Sequence, residues 1–287
     1  MTKRKRKNKY HSKKFRNGNS PNFSGQHMLH NKKLIKDIVN LAHISKSDLV
    51  LELGAGKGAL TKVLSNQAGR VLAVENDKKY IRELHQLELQ NTKIIQQDIL
   101  KLSLPRKPYV VVSNIPFAIT TPIMKMLLNK PSSPFQSGFI IIEKGAAKRF
   151  TSNFVKNSYV VAWKMWFDIQ CVKTIAKKNF SPKPRVDAAL IKITRKTKPI
   201  VAYKDYLTFW GLADYLMKNP KLPIDLALGG IFTKAQIRHL KKGLQLKKEL
   251  TVGNLSEKQW GFIFETMKQY VPKFRWPRIK KSKLKYL

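Results

Sequence analysis

The sequence contains a single cysteine, Cys171, among its 287 residues. One cysteine excludes both an internal disulfide bond and a cysteine-based zinc site. The six histidines show no H-E-x-x-H or other ligand spacing, so no metal is predicted. No 18 apolar residues run together, and no apolar segment follows the basic amino terminus, which argues against a membrane span and a signal peptide. We expect a cytoplasmic protein with no metal and no membrane partner.

Acidic residues are also scarce. The sequence contains 17 Asp and Glu residues and 57 Lys and Arg residues, which gives a net charge of +40. Such an excess favours a polyanionic partner, and binding should weaken with salt because counterions are released from that partner. A membrane surface is the rival polyanion, but the sequence shows no basic amphipathic helix with a large aromatic face. Nucleic acid is therefore the expected partner.

The two ends of the chain are especially basic. Nine Lys and Arg fall in the first 16 residues, and no acid precedes Asp37. We predict that residues 1–21 form a disordered basic arm that contacts nucleic acid, with a nuclear-localisation segment as the alternative. Basic and aromatic residues are interleaved in the tail, residues 271–287, which suits contact with RNA; a plain solvated tail is the alternative.

A glycine-rich turn follows the first strongly apolar stretch. Residues 49–53 have the composition of a buried strand and run into Gly54, Gly56 and Gly58, and a 3.6-residue period follows over residues 59–64. Strand, glycine-rich turn and helix in this order are typical of the first unit of a nucleotide-type α/β fold. Glycine is needed because the backbone turns tightly and approaches a ligand without a Cβ atom in the way.

The next predicted strand ends in an acidic residue. Residues 70–74 lead to Glu75, whose carboxylate can accept both hydroxyls of a ribose. The G-x-G-x-G spacing is not the dinucleotide fingerprint, and the turn carries Lys57 without a Lys-Ser/Thr pair for phosphates. S-adenosylmethionine has a ribose and no phosphate, so it fits this stretch best. NAD, or a close-packing turn without a ligand, remains the alternative.

Two further predicted strands end in polar residues. Residues 93–98 end at Asp98, which either caps a helix or binds the amino group of a cofactor adenine; we favour the second role. The β-branched stretch 109–113 is expected to be a central parallel strand. It leads directly into Asn114-Ile115-Pro116-Phe117, at the edge where open α/β sheets bind ligands.

The sequence pattern changes after residue 198. Before it, strands and helices alternate, and further extended stretches are predicted at 138–142, 166–175 and 188–195. After it, only helical patterns occur, at 203–218, 233–243 and 256–270. We predict an α/β catalytic domain over residues 22–198 and a helical carboxyl-terminal domain over residues 199–270.

The Asn-Ile-Pro-Phe segment suits methyl transfer to an exocyclic purine amine. The Asn114 side-chain oxygen and the Ile115 carbonyl can accept its two N–H bonds, which aims the nitrogen lone pair at an electrophilic methyl group. Pro116 fixes the turn, and Phe117 offers a π-face to the base. Such a site would accelerate the reaction by positioning the amine and by stabilising the charge of the transition state, with no metal and no covalent intermediate. A structural Asn in a strand-end turn is the alternative.

As an ordered set, these motifs resemble those of ribosomal RNA adenine-N6 methyltransferases, and most closely those of the Erm family. That family methylates one adenine in the peptidyl-transferase loop (domain V) of 23S rRNA and confers macrolide–lincosamide–streptogramin B resistance. The resemblance covers roughly residues 22–270. The matching segments are Leu51–Gly58, Glu75, Gln97–Ile99, Asn114–Phe117 and Phe180–Val186.

The resemblance implies a class I S-adenosylmethionine-dependent methyltransferase of the α/β class, with a Rossmann-like seven-strand sheet and a small α-helical carboxyl-terminal domain. It implies a monomer that acts on 23S rRNA before ribosome assembly is complete. The implied cofactor-binding residues are His27, Leu29, Gly54, Gly56, Glu75, Asp98 and Asn114. The implied catalytic residues are Asn114, Ile115, Pro116 and Phe117, and Phe117 and Phe180 would sandwich the flipped adenine.

The sequence departs from the family pattern at two places. Phe117 stands where Tyr is frequent, so a phenol hydroxyl is missing. The second place is the segment before the first predicted helix, residues 22–30, which we call the leader. It reads Gln26-His27-Met28 where Gln-Asn-Phe is frequent, so the side-chain contacts of the leader are expected to differ.

Other functions fit less well. Small-subunit (16S-type) rRNA adenine dimethyltransferases share every motif above and are the nearest alternative, followed by a non-catalytic RNA-binding derivative of the fold. DNA adenine methylation usually uses Asp-Pro-Pro-Tyr. Cytosine C5 methylation needs a cysteine nucleophile, whereas Cys171 lies within a predicted strand. If the substrate is RNA, the target base must leave its stack to reach the active site, which is easiest in an irregular or single-stranded loop.

Overall fold

The computed structural model describes residues 26–244 and 250–284. The predicted basic arm, residues 1–21, lies outside the described residues, as do the last three residues of the tail. None of the helices in the described ranges is long and apolar enough to cross a membrane.

The secondary structure alternates strands and helices and then continues with helices only. The strands are β1 (Met28–Leu29), β2 (Leu49–Leu53), β3 (Arg70–Glu75), β4 (Thr92–Gln96), β5 (Tyr109–Asn114), β6 (Phe135–Glu143), β7 (Phe167–Ile175), β8 (Phe180–Ser181) and β9 (Ala188–Arg195). The α-helices are α1 (Lys32–Leu41), α2 (Ala59–Gln67), α3 (Lys78–His85), α4 (Thr120–Leu128), α5 (Lys144–Thr151), α6 (Ser158–Trp166), α7 (Tyr206–Leu216), α8 (Ile224–Leu228), α9 (Lys234–Gly243), α10 (Glu257–Tyr270) and α11 (Lys281–Leu284).

Seven strands form one mixed sheet in the order β4-β3-β2-β5-β6-β9-β7. The strands from β4 to β6 are parallel, while β9 and β7 pair antiparallel. The chain winds outward from β2 to β4 and then returns to place β5 on the other side of β2. Neighbouring strands whose connections run in opposite directions leave a crevice at their carboxyl ends. The predicted seven-strand α/β fold is confirmed, and β2 and β5 define its ligand-binding edge.

Both faces of the sheet are covered. Alternate residues of β2 fall into different hydrophobic clusters: Val50 packs with α1 and α2, whereas Leu51 and Leu53 pack with α4, α5 and α6. A strand buried on both faces carries apolar side chains on both, which is why β2 and β5 are apolar except for Glu52 and, at the end of β5, Ser113 and Asn114. The second cluster extends into α7 and α10, so the carboxyl-terminal helices share the core of the sheet. The domain boundaries at 22, 199 and 271 stay a prediction.

The structure differs from the sequence-based expectation in four places. Trp166 belongs to α6, and the extended stretch begins at Phe167. Helix α6 is buried on nearly all sides, so it lacks the polar face that reveals a helix in sequence. The short helix α8 was not predicted, and the tail contains α11. The two-residue strands β1 and β8 pair only with each other, between distant parts of the chain.

Candidate active site

The glycine-rich turn lies at the carboxyl end of β2. Gly54, Gly56 and Gly58 have φ angles of +83°, +54° and +79°, in the left-handed region that favours glycine. A Cβ atom at Gly56 would lie 2.6 Å from the Met28 sulfur, and one at Gly58 would lie 2.5 Å from Leu87 Cδ1. The positive φ angles therefore favour glycine at all three positions, whereas the Met28 and Leu87 side-chain ends would have to shift to admit a Cβ atom. Helix α2 begins directly after the turn.

Hydrogen bonds to Glu75 connect this turn to the end of β3. Its Oε2 accepts a hydrogen bond from the Gly56 N–H at 2.8 Å, and its Oε1 accepts from the N–H groups of Asn76 and Asp77 at 2.7 and 2.9 Å. The side chain is only 3% exposed. Three accepted backbone N–H bonds fix the position of this carboxylate. Glu75 thus organises the turn; its contact with a ribose stays a prediction.

Glu52 is a second buried acid that sequence reasoning missed. It lies within β2, one residue before its end, and is 2% exposed. Burial raises the pKa of its carboxyl to about 8; the Thr61 hydroxyl opposes the rise and the charge of Glu75 adds to it. The only signal in the sequence is an acid inside an otherwise apolar strand. Because perturbed carboxyl groups concentrate at functional sites, Glu52 belongs in the description of this one.

A cavity of about 590 Å³ opens at the carboxyl ends of β2 and β5. Of the predicted site residues, Leu29, Gly54 and Asn114 line it, together with Glu52 and Asp77. Its volume lies in the range of sites for drug-sized ligands, roughly 300–1,000 Å³. Apolar Met28 and Leu29, together with the carboxyl groups of Glu52 and Asp77, suit a nucleoside joined to a polar amino-acid chain, as in S-adenosylmethionine.

Four predicted cofactor residues are placed around this cavity and do not line it. Gly56 and Glu75 support the turn from behind through the hydrogen bond between them. Asp98 Oδ1 accepts a hydrogen bond of 2.9 Å from Leu100 N–H and so caps a short 3-10 turn, the alternative role considered for it. The fourth is His27, whose ring lies against Phe117. Cofactor contacts by these four residues stay predictions.

The Asn114 amide is fixed by a backbone group of the leader. Its Nδ2 donates a hydrogen bond of 2.7 Å to the His27 carbonyl oxygen. Within the described residues, its Oδ1 is buried and has no hydrogen-bond partner. The preceding residue, Ser113, ties β5 to β2: its hydroxyl donates to the Leu53 carbonyl at 2.6 Å and accepts from the Leu53 N–H at 3.2 Å. A buried acceptor without a partner is rare, so Asn114 Oδ1 is a candidate acceptor for a bound substrate.

Three aromatic rings meet beside Asn114. The rings of His27 and Phe117 have centroids 5.6 Å apart, and those of Phe117 and Phe180 have centroids 6.2 Å apart with an interplanar angle of 73°. A base between two parallel rings needs them roughly 7 Å apart, about twice the carbon–carbon contact distance. The observed edge-to-face contact leaves no such gap, so a sandwich requires one ring to turn. Phe180 is 3% exposed and Phe117 is half-buried, so Phe117 is the more accessible stacking surface.

The leader is held on the loop that carries Phe180. Strand β1 pairs antiparallel with β8, and each of two histidine rings flanking β1 bonds to a carbonyl of that loop. His27 Nδ1 donates to Pro182 O at 2.8 Å, and His30 Nε2 donates to Lys178 O at 3.1 Å. The leader residues of this chain therefore make loop contacts that could not be read from the sequence.

Exposed cations surround this edge of the molecule. The loop around β8 carries Lys177, Lys178, Lys183 and Arg185, all exposed. In α5, Arg149 Nη2 donates a hydrogen bond of 2.8 Å to the Thr121 hydroxyl, next to the Asn-Ile-Pro-Phe segment. A rim of Lys and Arg around a cavity suits RNA phosphates, which such contacts position without reading sequence. The described residues hold no group of three His, Cys, Asp or Glu side chains arranged to bind a metal.

The sheet order, the glycine turn fastened by an acid and the anchored Asn at the ligand edge define an α/β methyltransferase. The sequence profile described as "Ribosomal RNA adenine dimethylase" matches residues 18–269. The chain belongs to this family.

Individual relatives agree with that assignment. An rRNA adenine N-6-methyltransferase of Bacillus licheniformis is 59% identical over 282 residues, which cover 98% of each chain. A ribosomal RNA small subunit methyltransferase A of Streptococcus thermophilus is 32% identical over 195 residues, 63% of this chain and 67% of its own. The crystal structure of the 23S rRNA methyltransferase ErmE shares the fold, with a TM-score of 0.75 over 84% of this chain and 99% of that one, at 22% identity.

The chain is therefore an S-adenosylmethionine-dependent rRNA (adenine-N6) methyltransferase. S-adenosylmethionine supplies a methyl group on a positively charged sulfur, and the acceptor is the exocyclic amine of an adenine. The prediction of the reaction, of its cofactor and of an rRNA substrate is confirmed, and a non-catalytic derivative is not favoured.

Proposed function

We propose that the protein methylates N6 of one adenine in the peptidyl-transferase loop, domain V, of 23S rRNA and thereby confers macrolide–lincosamide–streptogramin B resistance. The observation that carries this choice is the difference between relatives. The N-6-methyltransferase is 59% identical over 98% of this chain, whereas small-subunit enzymes of two Streptococcus species are 32% identical over 63% of it and 29% identical over 85% of it. Further support is the fold shared with a 23S rRNA methyltransferase.

The anchored amide of Asn114 carries the chemistry in this proposal. Because Nδ2 is committed to the His27 carbonyl, Oδ1 is directed toward the amine and accepts one of its N–H bonds. The Ile115 carbonyl accepts the second. Two acceptors draw the nitrogen out of conjugation with the ring and stabilise the positive charge that forms on it during transfer. The methyl–sulfur bond breaks as the methyl–nitrogen bond forms, and the sulfur leaves as a neutral thioether. The nitrogen then releases one proton to water, so the product amine is neutral.

The aromatic residues hold the target base. Phe117 stacks on the adenine after the base leaves its own stack, and Phe180 turns from its edge-on position to form the opposite wall. Leu29, Gly54, Gly56, Glu75 and Asp98 form or support the binding site for S-adenosylmethionine. The enzyme acts as a monomer in the cytoplasm, without a metal, on 23S rRNA that is not yet fully assembled into ribosomes.

Primer extension on 23S and 16S rRNA from cells that express the protein tests this proposal, together with an erythromycin susceptibility test. We expect a reverse-transcription stop at one adenine of the 23S peptidyl-transferase loop, with resistance. Cells that express Asn114→Ala serve as the matched control and should show neither. Dimethyladenines found only near the 3′ end of 16S rRNA would assign the chain to the small-subunit enzymes instead. Absence of both stops despite cofactor binding by calorimetry would support the non-catalytic alternative.

A further inference from the structure

Phe274 is the most exposed large hydrophobic side chain in the described part of the chain, at 80% exposure. It occupies the middle of a 3-10 turn, Lys273–Arg275, directly after α10. A single exposed hydrophobic residue is common on protein surfaces, so a role for Phe274 has to be argued from its backbone and from the charges beside it. What the ring offers is an accessible π-face.

The backbone beneath Phe274 is fixed by hydrogen bonds. Arg275 N–H donates to the Pro272 carbonyl at 3.0 Å, and Trp276 N–H donates to the Lys273 carbonyl at 3.2 Å. The Trp276 indole Nε1 donates to the Val271 carbonyl at 2.8 Å, and Val271 is buried. These bonds close the turn on both sides of Phe274, so the ring projects from an ordered frame.

The residues after the turn are packed onto the helical region. A Cβ atom at Gly211, in α7, would lie 2.2 Å from the Pro277 carbonyl oxygen, so the tail lies directly on that helix. Trp276 and Ile279 pack against the main hydrophobic cluster on either side of this contact. The first part of the predicted tail is therefore a structured element of the fold, and it leaves one aromatic residue unburied.

The charge around Phe274 selects the kind of partner. Its two sequence neighbours are Lys273 and Arg275, and no acidic residue follows Glu265 in the sequence. Arg278, Lys280 and Lys281 are exposed further along the same segment. An apolar contact with a protein would desolvate these cations, whereas RNA supplies both a base to stack and phosphates to neutralise them.

We propose that Phe274 is a stacking platform for an unpaired RNA base outside the active site, with Lys273 and Arg275 on the adjacent phosphates. Aromatic stacking tolerates any base, since each base has a π-face. The platform therefore adds affinity for an irregular or single-stranded segment near the target and does not read its sequence. It deepens the function of the RNA-binding surface and rests only on rRNA methylation, whichever subunit supplies the target.

Substitutions at Phe274 test the platform on whichever rRNA fragment, 23S or 16S, the wild-type protein methylates. We expect Phe274→Ala to weaken RNA binding about 5- to 150-fold, the effect of losing one base–aromatic stack. The kcat at saturating RNA, the affinity for S-adenosylmethionine and the salt dependence of RNA binding should stay unchanged, because no catalytic group and no cation is removed. Phe274→Trp should restore binding, and Lys273→Ala should lower the salt slope by about one.

Leu226→Ala is the matched control. Leu226 is 66% exposed on the short helix α8, beside Asp225, whose carboxylate pairs with Lys241 at 3.2 Å. It is apolar and exposed like Phe274 but has no π-face, so its removal should not change RNA affinity. Thermal unfolding of each variant verifies that the fold is intact.

Three results would overturn the proposal: unchanged RNA affinity in Phe274→Ala, failure of Phe274→Trp to restore affinity, or an equal loss in Leu226→Ala.

A photo-reactive phenylalanine analogue at position 274 gives a direct measurement. We expect it to crosslink to an unpaired nucleotide of the fragment, and a crosslink only to protein would assign the ring to a second copy of the chain. The wild-type choice between 23S and 16S fragments is measured in the same assay, so failure of the 23S proposal is separate from failure of the platform.

Discussion

The side-chain Nδ2 of Asn114 donates a hydrogen bond of 2.7 Å to the carbonyl oxygen of His27, 87 residues earlier in the chain. This bond decides which way the amide faces. The reversed amide would bring Oδ1 against the carbonyl oxygen, and the two acceptors would repel each other. The leader thus orients the amide that we propose to bind the target amine, through its backbone and independently of the side chain at position 27.

Replacing Asn114 removes the oriented acceptor. We expect Asn114→Ala to lower kcat by at least about 10²–10³-fold, the loss found when one preorganised electrostatic contact to a transition state is removed. Binding of S-adenosylmethionine should persist, because the glycine turn and Glu75 are untouched. Transfer of a labelled methyl group and calorimetry measure the two quantities separately. A variant that keeps most of its turnover would contradict the role given to Asn114.

Phe117 is expected to act through its ring. Phe117→Ala should lower turnover more than Phe117→Tyr, because tyrosine keeps the π-face and alanine does not. The side chain contacts His27 and Phe180 in the structure, so thermal unfolding must be followed alongside single-turnover methylation. Equal losses in the two variants would remove the stacking role.

Glu52 makes stability depend on pH in a defined direction. Its pKa is about 8 in the folded protein against an ordinary value of 4.5, so the folded state holds a proton that the unfolded state releases between these values. The stabilisation from this group is complete below pH 4.5 and is lost as pH rises to about 8, by about 1.4 kcal/mol per pH unit within the window. Glu52→Gln cannot ionise and should lose this dependence.

Thermal unfolding of the cofactor-free protein at pH 5 and pH 8 measures this effect. The difference in Tm, variant minus wild type, should increase between the two pH values. Glu265→Gln, on the exposed side of α10, is the control and should leave the difference unchanged. Parallel pH profiles for Glu52→Gln and the wild type would falsify the assignment.

Glu75 supports the glycine turn through three accepted hydrogen bonds. A glutamine has one acceptor oxygen, and its NH₂ group would face a backbone N–H. We expect Glu75→Gln to lose about 1–3 kcal/mol of stability, the cost of leaving a buried polar group unsatisfied. The affinity for S-adenosylmethionine should fall at least tenfold, a loss of about 1.4 kcal/mol. Chemical denaturation and calorimetry check the two effects, and an unchanged affinity would show that the carboxylate supports the turn alone.

The basic arm should act through RNA phosphates. Deleting residues 1–20 removes nine Lys and Arg residues, so RNA binding should weaken and its salt dependence should flatten, since each phosphate contact contributes to the slope. Titrations at several salt concentrations measure the slope directly. The same slope in the deleted and full-length proteins would place the arm outside the RNA interface.

The sequence predicts those parts of the fold that depend on local pattern. Strands β2, β3, β5 and β9 follow from apolar, β-branched runs, and the glycine turn follows from its spacing. Helix α6 was not recognised, because its buried surface extends around the helix and hides the 3.6-residue period. Strands β1 and β8 are two residues long and exist only because distant segments meet.

The same distinction applies to the site. Gly54 and Asn114 were expected at one edge of the sheet because parallel strands share their carboxyl ends, and both line the cavity there. The contact from His27 to Asn114 and the burial of Glu52 depend on tertiary packing that no spacing encodes. The edge-to-face contact of Phe117 with Phe180 likewise follows from ring orientations that only coordinates reveal.

The pairing of β1 with β8 has a thermodynamic consequence. Leu29 and Ser181 of this pair line the cofactor cavity, while Phe180 of the same pair belongs to the aromatic cluster. In the proposed function, the two substrates thus share one wall. If binding of one substrate shifts that wall and changes the affinity for the other, the second substrate changes the affinity for the first by the same factor, because binding couplings are reciprocal. An inhibitor that fills the cofactor side while separating β1 from β8 would weaken RNA binding by the factor by which bound RNA weakens the inhibitor.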